Sequence, residues 1–172
     1  GPVKLMDRGR LVAAVVDILT RNSRLPRSLV GDMHAQIAAC RIGERRYREL
    51  LQRFGLETVR AAMAAVFDST AALEQEAIAA IPDGGYEAEG YQDNDFQSPE
   101  PVPVRVKVTV RGREMVVDTH GSSRQRPGNT NCGLAQTISA VRLAYKFVIR
   151  PDVGVTGGSF RTLRVEVERG SI

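Results

Sequence analysis

Apolar residues recur at helical spacing through the first half of the chain and at strand spacing through much of the second. "DRGRLVAAVVDILT", Asp7 to Thr20, sets Leu11, Val15, Ile18 and Leu19 on roughly one face and predicts a short amphipathic helix. "RNSRLPRSL" interrupts it. Pro26 then suits the first turn of a second helix, whose apolar positions Met33, Ile37, Cys40, Tyr47, Leu51 and Phe54 follow mostly three- and four-residue steps. Gly55 is placed to cap that helix, and a third begins almost at once. Val59, Met63, Val66, Thr70, Leu73, Ala77 and Ile81 form its nearly unbroken stripe, ended by "PDGG" at Pro82 to Gly85. Two long helices joined by one glycine predict an antiparallel hairpin with these stripes packed as core.

Beyond "PDGG" the period shortens to two. "YEAEGY" alternates weakly, and "VPVRVKVTV", Val102 to Val110, alternates strictly. "RGR" supplies a turn before "EMVVDTHG", so residues 102–119 read as a β-hairpin with one buried face. A helix from about Leu134 to Ile149 carries Ile138, Val141, Leu143, Ala144 and Val148, and Pro151 stops it. The glycine-rich "DVGVTGGSF" leads into a last alternating strand, "TLRVEVE". The expected fold class is α+β: a long antiparallel helical hairpin, then a small, mainly antiparallel sheet with one further helix. Gly1 and Pro2 read as the scar of a removed tag, residues 3–82 as a helical part and residues 83–172 as a β-rich part with one helix. Together they read as one domain or a fragment of a larger subunit.

Charge changes the picture more by its distribution than by its total of +4. Residues 1–60 carry 12 basic and 6 acidic side chains, residues 61–100 carry 0 and 9, and residues 101–172 carry 12 and 5. An acidic segment between two basic ones can neutralise them on folding, which argues against a nucleic-acid partner. Arg41, Arg45 and Arg48 align on the second helix, yet Glu44 and Glu49 lie among them and few aromatics are available for stacking. No apolar run approaches the ~20 residues that span a bilayer, so no membrane partner is expected. Cys40 and Cys132 lack zinc or disulfide spacing, and a reducing, cytoplasmic location is the expectation.

Familiar nucleotide and hydrolase signatures are absent: no G-x-x-x-x-G-K-[ST], no G-x-G-x-x-G after a strand, no G-x-S-x-G. The stretch that most resembles a site is "DTHGSSRQRPGNTNCGLAQTISA", where Asp118, His120, Ser122, Ser123, Asn129, Asn131 and Cys132 crowd between an apolar strand and an apolar helix. Such a loop presents backbone N–H groups near the helix start, suited to a polar ligand, while Asn131 also suits a cap or turn and Cys132 an inert, buried thiol. "GDMHAQIAA", Gly31 to Ala39, spreads Asp32, His34 and Gln36 around the second helix as solvent-facing or interface residues. "DNDF", Asp93 to Phe96, reads as a solvated acidic loop, since the glycine and glutamate of a calcium loop are missing.

Four stretches in order resemble the hydantoinase B family, whose relatives include oxoprolinases, caprolactamase-type lactam hydrolases and acetone and acetophenone carboxylase subunits. "RLPRSLVGDMHAQIAACRIGERRYRELLQRFG" is similar to its GD-x-x-AQ-x-AA segment, and "IPDGGYEAEGYQDND" to its PDG-x-Y run with trailing acids. "VDTHGSSRQRPGNTNCGLAQTISAV" resembles its VDF-x-GS … G-x-x-N strand and helix, and "PDVGVTGGSFRTLRVEVERGS" its later proline, glycine and F-R pattern. The chain departs from the pattern at Thr156, where an asparagine is usual, and at Gly133, where a proline often follows the cysteine.

Family B subunits are several times this length, and the family's metal-binding NDP … GG-x-H-x-x-D pattern does not occur here. The resemblance therefore implies the core and pocket wall of an ATP-dependent cyclic-amide hydrolase subunit, inactive alone. It implies ATP with magnesium and a divalent metal in the parent complex, neither held by this chain. The implied partners are an A-type subunit, the remainder of the B-type polypeptide and a small-molecule substrate, and two apolar stripes also make a homo-oligomer an expectation. Asp118, His120, Ser122, Asn129 and Asn131 are the expected pocket-lining residues, with Asp32 and Gln36 behind them. A carboxylase-type subunit domain and a non-catalytic interaction module are the competing readings.

Overall fold

A computed structural model describes residues 3–128 and 130–171. The chain divides into two compact units between Arg60 and Ala61.

In the first unit, β1 (Met6–Asp7) and β2 (Arg10–Leu11) form a minimal antiparallel hairpin. Its two turn residues, Arg8 and Gly9, both have positive φ, at 45° and 80°, the backbone twist that suits a two-residue hairpin turn. The first helix is consequently shorter than the apolar pattern predicts: α1 runs Ala13–Arg21, because the left-handed turn at Arg8 and Gly9 diverts the segment that periodicity assigns to helix. The second helix, α2 (Pro26–Phe54), begins on Pro26, where the missing N–H goes unneeded, and ends at Gly55 with φ 77°. α1 packs against α2. Of the predicted α2 stripe only Met33 is buried; Cys40, Tyr47 and Phe54 are exposed.

α3 (Leu56–Ala79) runs from the first unit into the second. The second unit then adds β3 (Gly84–Gln92), β4 (Val102–Arg111), β5 (Glu114–Asp118), α4 (Leu134–Val148) and β6 (Leu163–Glu166). The elements confirm an α+β fold whose four-stranded sheet has the order β3-β4-β5-β6. β3, β4 and β5 are antiparallel neighbours, while β6 returns parallel to β5. A parallel neighbour needs a long crossover, and residues 119–162, with α4 inside them, supply it.

Strand alternation gives the sheet two unlike faces. Val104, Val106, Val108 and Val110 of β4 share one face with Met115 and Val117 of β5 and Leu163 of β6, as their cross-strand pairing requires. Ile78 of α3, Tyr145 of α4 and Ile149 just past its end join Val110, Met115 and Val117 in the buried core, with the Phe160 ring 6.0 Å from that of Tyr145. Arg105, Lys107, Asp118, Arg164 and Glu166 take the opposite, charged face.

The buried positions on α3 and α4 match their apolar patterns only in part: Val59 and Thr70 of the predicted α3 stripe are buried. Met63 and Val66 on α3 and Leu143 and Val148 on α4 are exposed, whereas Glu74 and Lys146, which lie outside those patterns, are buried. The physical reason is a polar pair: Lys146 Nζ donates to Glu74 Oε1 at 2.6 Å and to the Arg150 carbonyl at 2.8 Å. The pair ties α3 to α4 through positions that hydropathy alone would send outward, while Glu74 Oε2 has no hydrogen-bond partner among the described residues.

Candidate functional site

The strand-to-helix loop from Thr119 to Gly133 is tied down by its own side chains. β5 ends at Asp118 while its neighbour β4 continues, leaving Arg105 without a strand partner on that side. The Ser122 hydroxyl takes the vacated place: it accepts from the Arg105 N–H at 3.0 Å and donates to the Arg105 carbonyl at 3.1 Å. Ser123 N–H adds a bond to the Pro103 carbonyl at 2.8 Å. Further along, the Asn131 carboxamide spans the loop. Its Oδ1 accepts from Arg126 N–H at 2.8 Å, and its Nδ2 donates to the carbonyls of Arg126 and Gly128 at 2.7 and 3.0 Å. Asn131 thus takes the turn role, and Gly133 is the N-cap of α4.

Gly128 is the closest approach. A Cβ there would stand 1.9 Å from the Asp95 carbonyl oxygen, so only glycine fits without movement. Asp95 itself corrects the expectation of a solvated acidic loop: it is 1% exposed. Its carboxylate accepts from the N–H groups of Gln97 and Ser98 at 2.9 and 2.6 Å, and these bonds hold its pKa below the usual carboxylate value. Cys132 is a second correction, exposed rather than buried, since it lies where the loop borders a groove.

Alternation along β5 separates the candidate residues. Asp118 and His120 border a cleft of about 370 Å³ on the charged face, with Glu87, Glu89, Arg105 and Lys107. Thr119 and Ser122 border a groove of about 560 Å³ on the apolar face. Asn131 is engaged within the loop, and Asn129 lies outside the described residues. Asp32 and Gln36 are exposed on α2, as is His34.

Asp118 and His120 form a catalytically suggestive pair in the cleft. Asp118 Oδ1 accepts from the His120 backbone N–H at 2.8 Å and also contacts the ring Nδ1. The backbone bond is the largest influence lowering the Asp118 pKa, aided by the His120 ring and Lys107. The same carboxylate raises the His120 pKa above 6.5, chiefly by hydrogen bonding and then by charge, with Glu168 and Glu166 adding to it. An imidazole anchored at Nδ1 keeps Nε2 for exchanging a proton or contacting an anion.

Among the described residues no three His, Cys, Asp or Glu side chains converge as metal ligands. The described residues therefore do not fit a metal. At the departure from the family pattern, the Thr156 hydroxyl accepts the Gly158 N–H at 3.1 Å and its N–H donates to Ser159 Oγ at 3.0 Å, so Thr156 closes a local turn. Gly158 abuts α3, where a Cβ would stand 2.0 Å from the Phe67 carbonyl oxygen.

Comparison with known proteins places this arrangement. The family model described as hydantoinase B/oxoprolinase matches residues 1–172. The B-type subunit of a putative D-/L-hydantoinase from Pseudomonas sp. (strain NS671) is 42% identical over 127 residues, covering 72% of this chain and 22% of that protein. The crystal structure of ATP-dependent caprolactamase from Pseudomonas jessenii matches 99% of this chain and 30% of its own, with a TM-score of 0.79 and 29% identity. A nucleotide-free acetone carboxylase shares the fold, with a TM-score of 0.79 at 18% identity over 98% of this chain and 24% of that one. The chain thus spans less than a third of the length of these relatives. The order of elements, the tied loop and a family match from end to end make this chain a member of the hydantoinase B/oxoprolinase family.

Proposed function

We propose that the chain is the core and pocket wall of a B-type subunit in an ATP-dependent cyclic-amide hydrolase, acting only within the complete complex. The observation that carries this reading is the Asp118–His120 pair, set in an open, charged cleft at the end of β5 and held by a loop that Ser122 and Asn131 fix in shape. In it Asp118 orients the imidazole, and His120 moves a proton or steadies developing negative charge at the amide. Ser122 and Asn131 serve the site by fixing the shape of the loop that carries His120. ATP is used by a partner of the A type, in a cytoplasmic complex.

The hydrolase reading is favoured over the carboxylase one because the caprolactamase shares 29% of its aligned residues with this chain and the acetone carboxylase 18%. Phosphate release by the full-length polypeptide with its partner, offered hydantoin, 5-oxoproline and caprolactam, tests it. Loss of turnover in His120→Ala with the complex intact is the expected result. Unchanged turnover in His120→Ala and Asn131→Ala leaves this part of the protein as scaffold.

A further inference from the structure

The apolar face of the sheet is only half covered by the second unit. α4 and its C-cap send Tyr145 and Ile149 into the cluster that holds Met115 and Val117, so they cover the β5 side. Toward β3 the face stays open: Val104 is 38% exposed, and Gly90 opposite it and Ala88 opposite Val106 are exposed too. Between the two halves lies the groove of about 560 Å³, floored by Val104, Val106 and Val108 and walled by Thr137, Ala140 and Ala144 of α4.

Strands stand ~4.8 Å apart and a helix is ~10 Å wide, so one helix covers about two strands and a four-stranded face takes two. We propose that the groove seats a second α-helix with an apolar stripe, supplied by the same polypeptide outside residues 1–172. Three features argue for that source. The groove is continuous with the core, since Met115, Val117, Tyr145 and Ile149 belong to both. Among the described residues no Asp, Glu, Lys or Arg lines it; its polar side chains, such as Thr119 and Thr137, are uncharged, as in the interior of a fold. The relatives have more than two thirds of their length outside the matched part, which is ample chain to supply a helix. Ala140 and Ala144, one turn apart on the wall, leave room for close helix packing. The inference rests on the reading of this chain as part of a longer B-type subunit.

Cys132 borders the groove and is exposed in this chain, which makes it a built-in reporter. In the full-length polypeptide, alkylation by iodoacetamide, followed by peptide mapping, is measured at Cys132 and in Ala144→Cys. Both thiols are expected to react roughly a hundredfold more slowly than in the urea-unfolded protein. A benzophenone maleimide on Ala144→Cys is expected to cross-link to a peptide of the same polypeptide outside residues 1–172. Fast alkylation of both thiols overturns the proposal. So does a cross-link to a second copy or another subunit, or protection that appears only when substrate is added. ATP-dependent turnover is recorded on the same preparation: turnover with an open groove overturns this inference alone, and a protected groove without turnover overturns the functional reading alone.

Discussion

Lys146 Nζ lies 2.6 Å from Glu74 Oε1, and the pair joins α4 to α3 inside the core of the second unit with both side chains buried. Burying two charges is costly, and leaving either one alone costs more. Glu74→Ala is expected to destabilise the fold by about 3–5 kcal/mol, because Lys146 is then buried without its carboxylate. The double change Glu74→Leu with Lys146→Met is expected to recover most of that loss. Urea denaturation of the three proteins measures it, and a double variant as unstable as the single one refutes the account.

Gly128→Ala is expected to destabilise by about 1–3 kcal/mol or more, since its Cβ must displace the Asp95 backbone. Gly158→Ala meets the Phe67 backbone in the same way. Gly154→Ala, with nothing within 4 Å of the added carbon, is expected to stay within about 0.5 kcal/mol of the parent. Thermal unfolding of the three variants ranks them, and equal melting temperatures contradict the two close approaches.

The Asp118–His120 pair titrates in a predictable direction. The raised His120 pKa means that its contribution to stability is full below about pH 6.5 and fades as pH rises through the folded value. The lowered Asp118 pKa means that its share is present above about pH 4 and is lost as pH falls through the folded value. The pair therefore contributes most between those limits. NMR of the His120 ring is expected to give a midpoint above 6.5 that falls in Asp118→Asn; an unmoved midpoint dissociates the two groups.

Much of the fold is legible in the sequence, and the misses have physical causes. The strict alternation from Val102 to Val110 and the bounds Pro26 and Phe54 of α2 appear in the structure as they read. Local periodicity does not show that Glu74 belongs inside, because its partner lies 72 positions away. Nor does it show the β1–β2 turn, where the positive φ of Arg8 is an unusual choice for a non-glycine residue. At the candidate site, the crowded polar loop is visible as a cluster. What sorts Asp118 and His120 onto one face and Thr119 onto the other is strand alternation, which the sequence contains but which needs the position of the last β5 residue to apply. Asp95 caps its own turn through the backbone N–H groups of Gln97 and Ser98, a role open to any Asp in a loop and therefore not singled out by the neighbouring residue types.

β3 ends the sheet, and its outer side carries a row of peptide groups that a further strand could join. Glu87 and Glu89, paired across to Lys107 and Arg105, put charge along that rim. Charged rims discourage lateral strand addition and fibril-like stacking. Strand addition beside β3 is therefore disfavoured, while the face above, over the valines, stays open to a neighbouring segment.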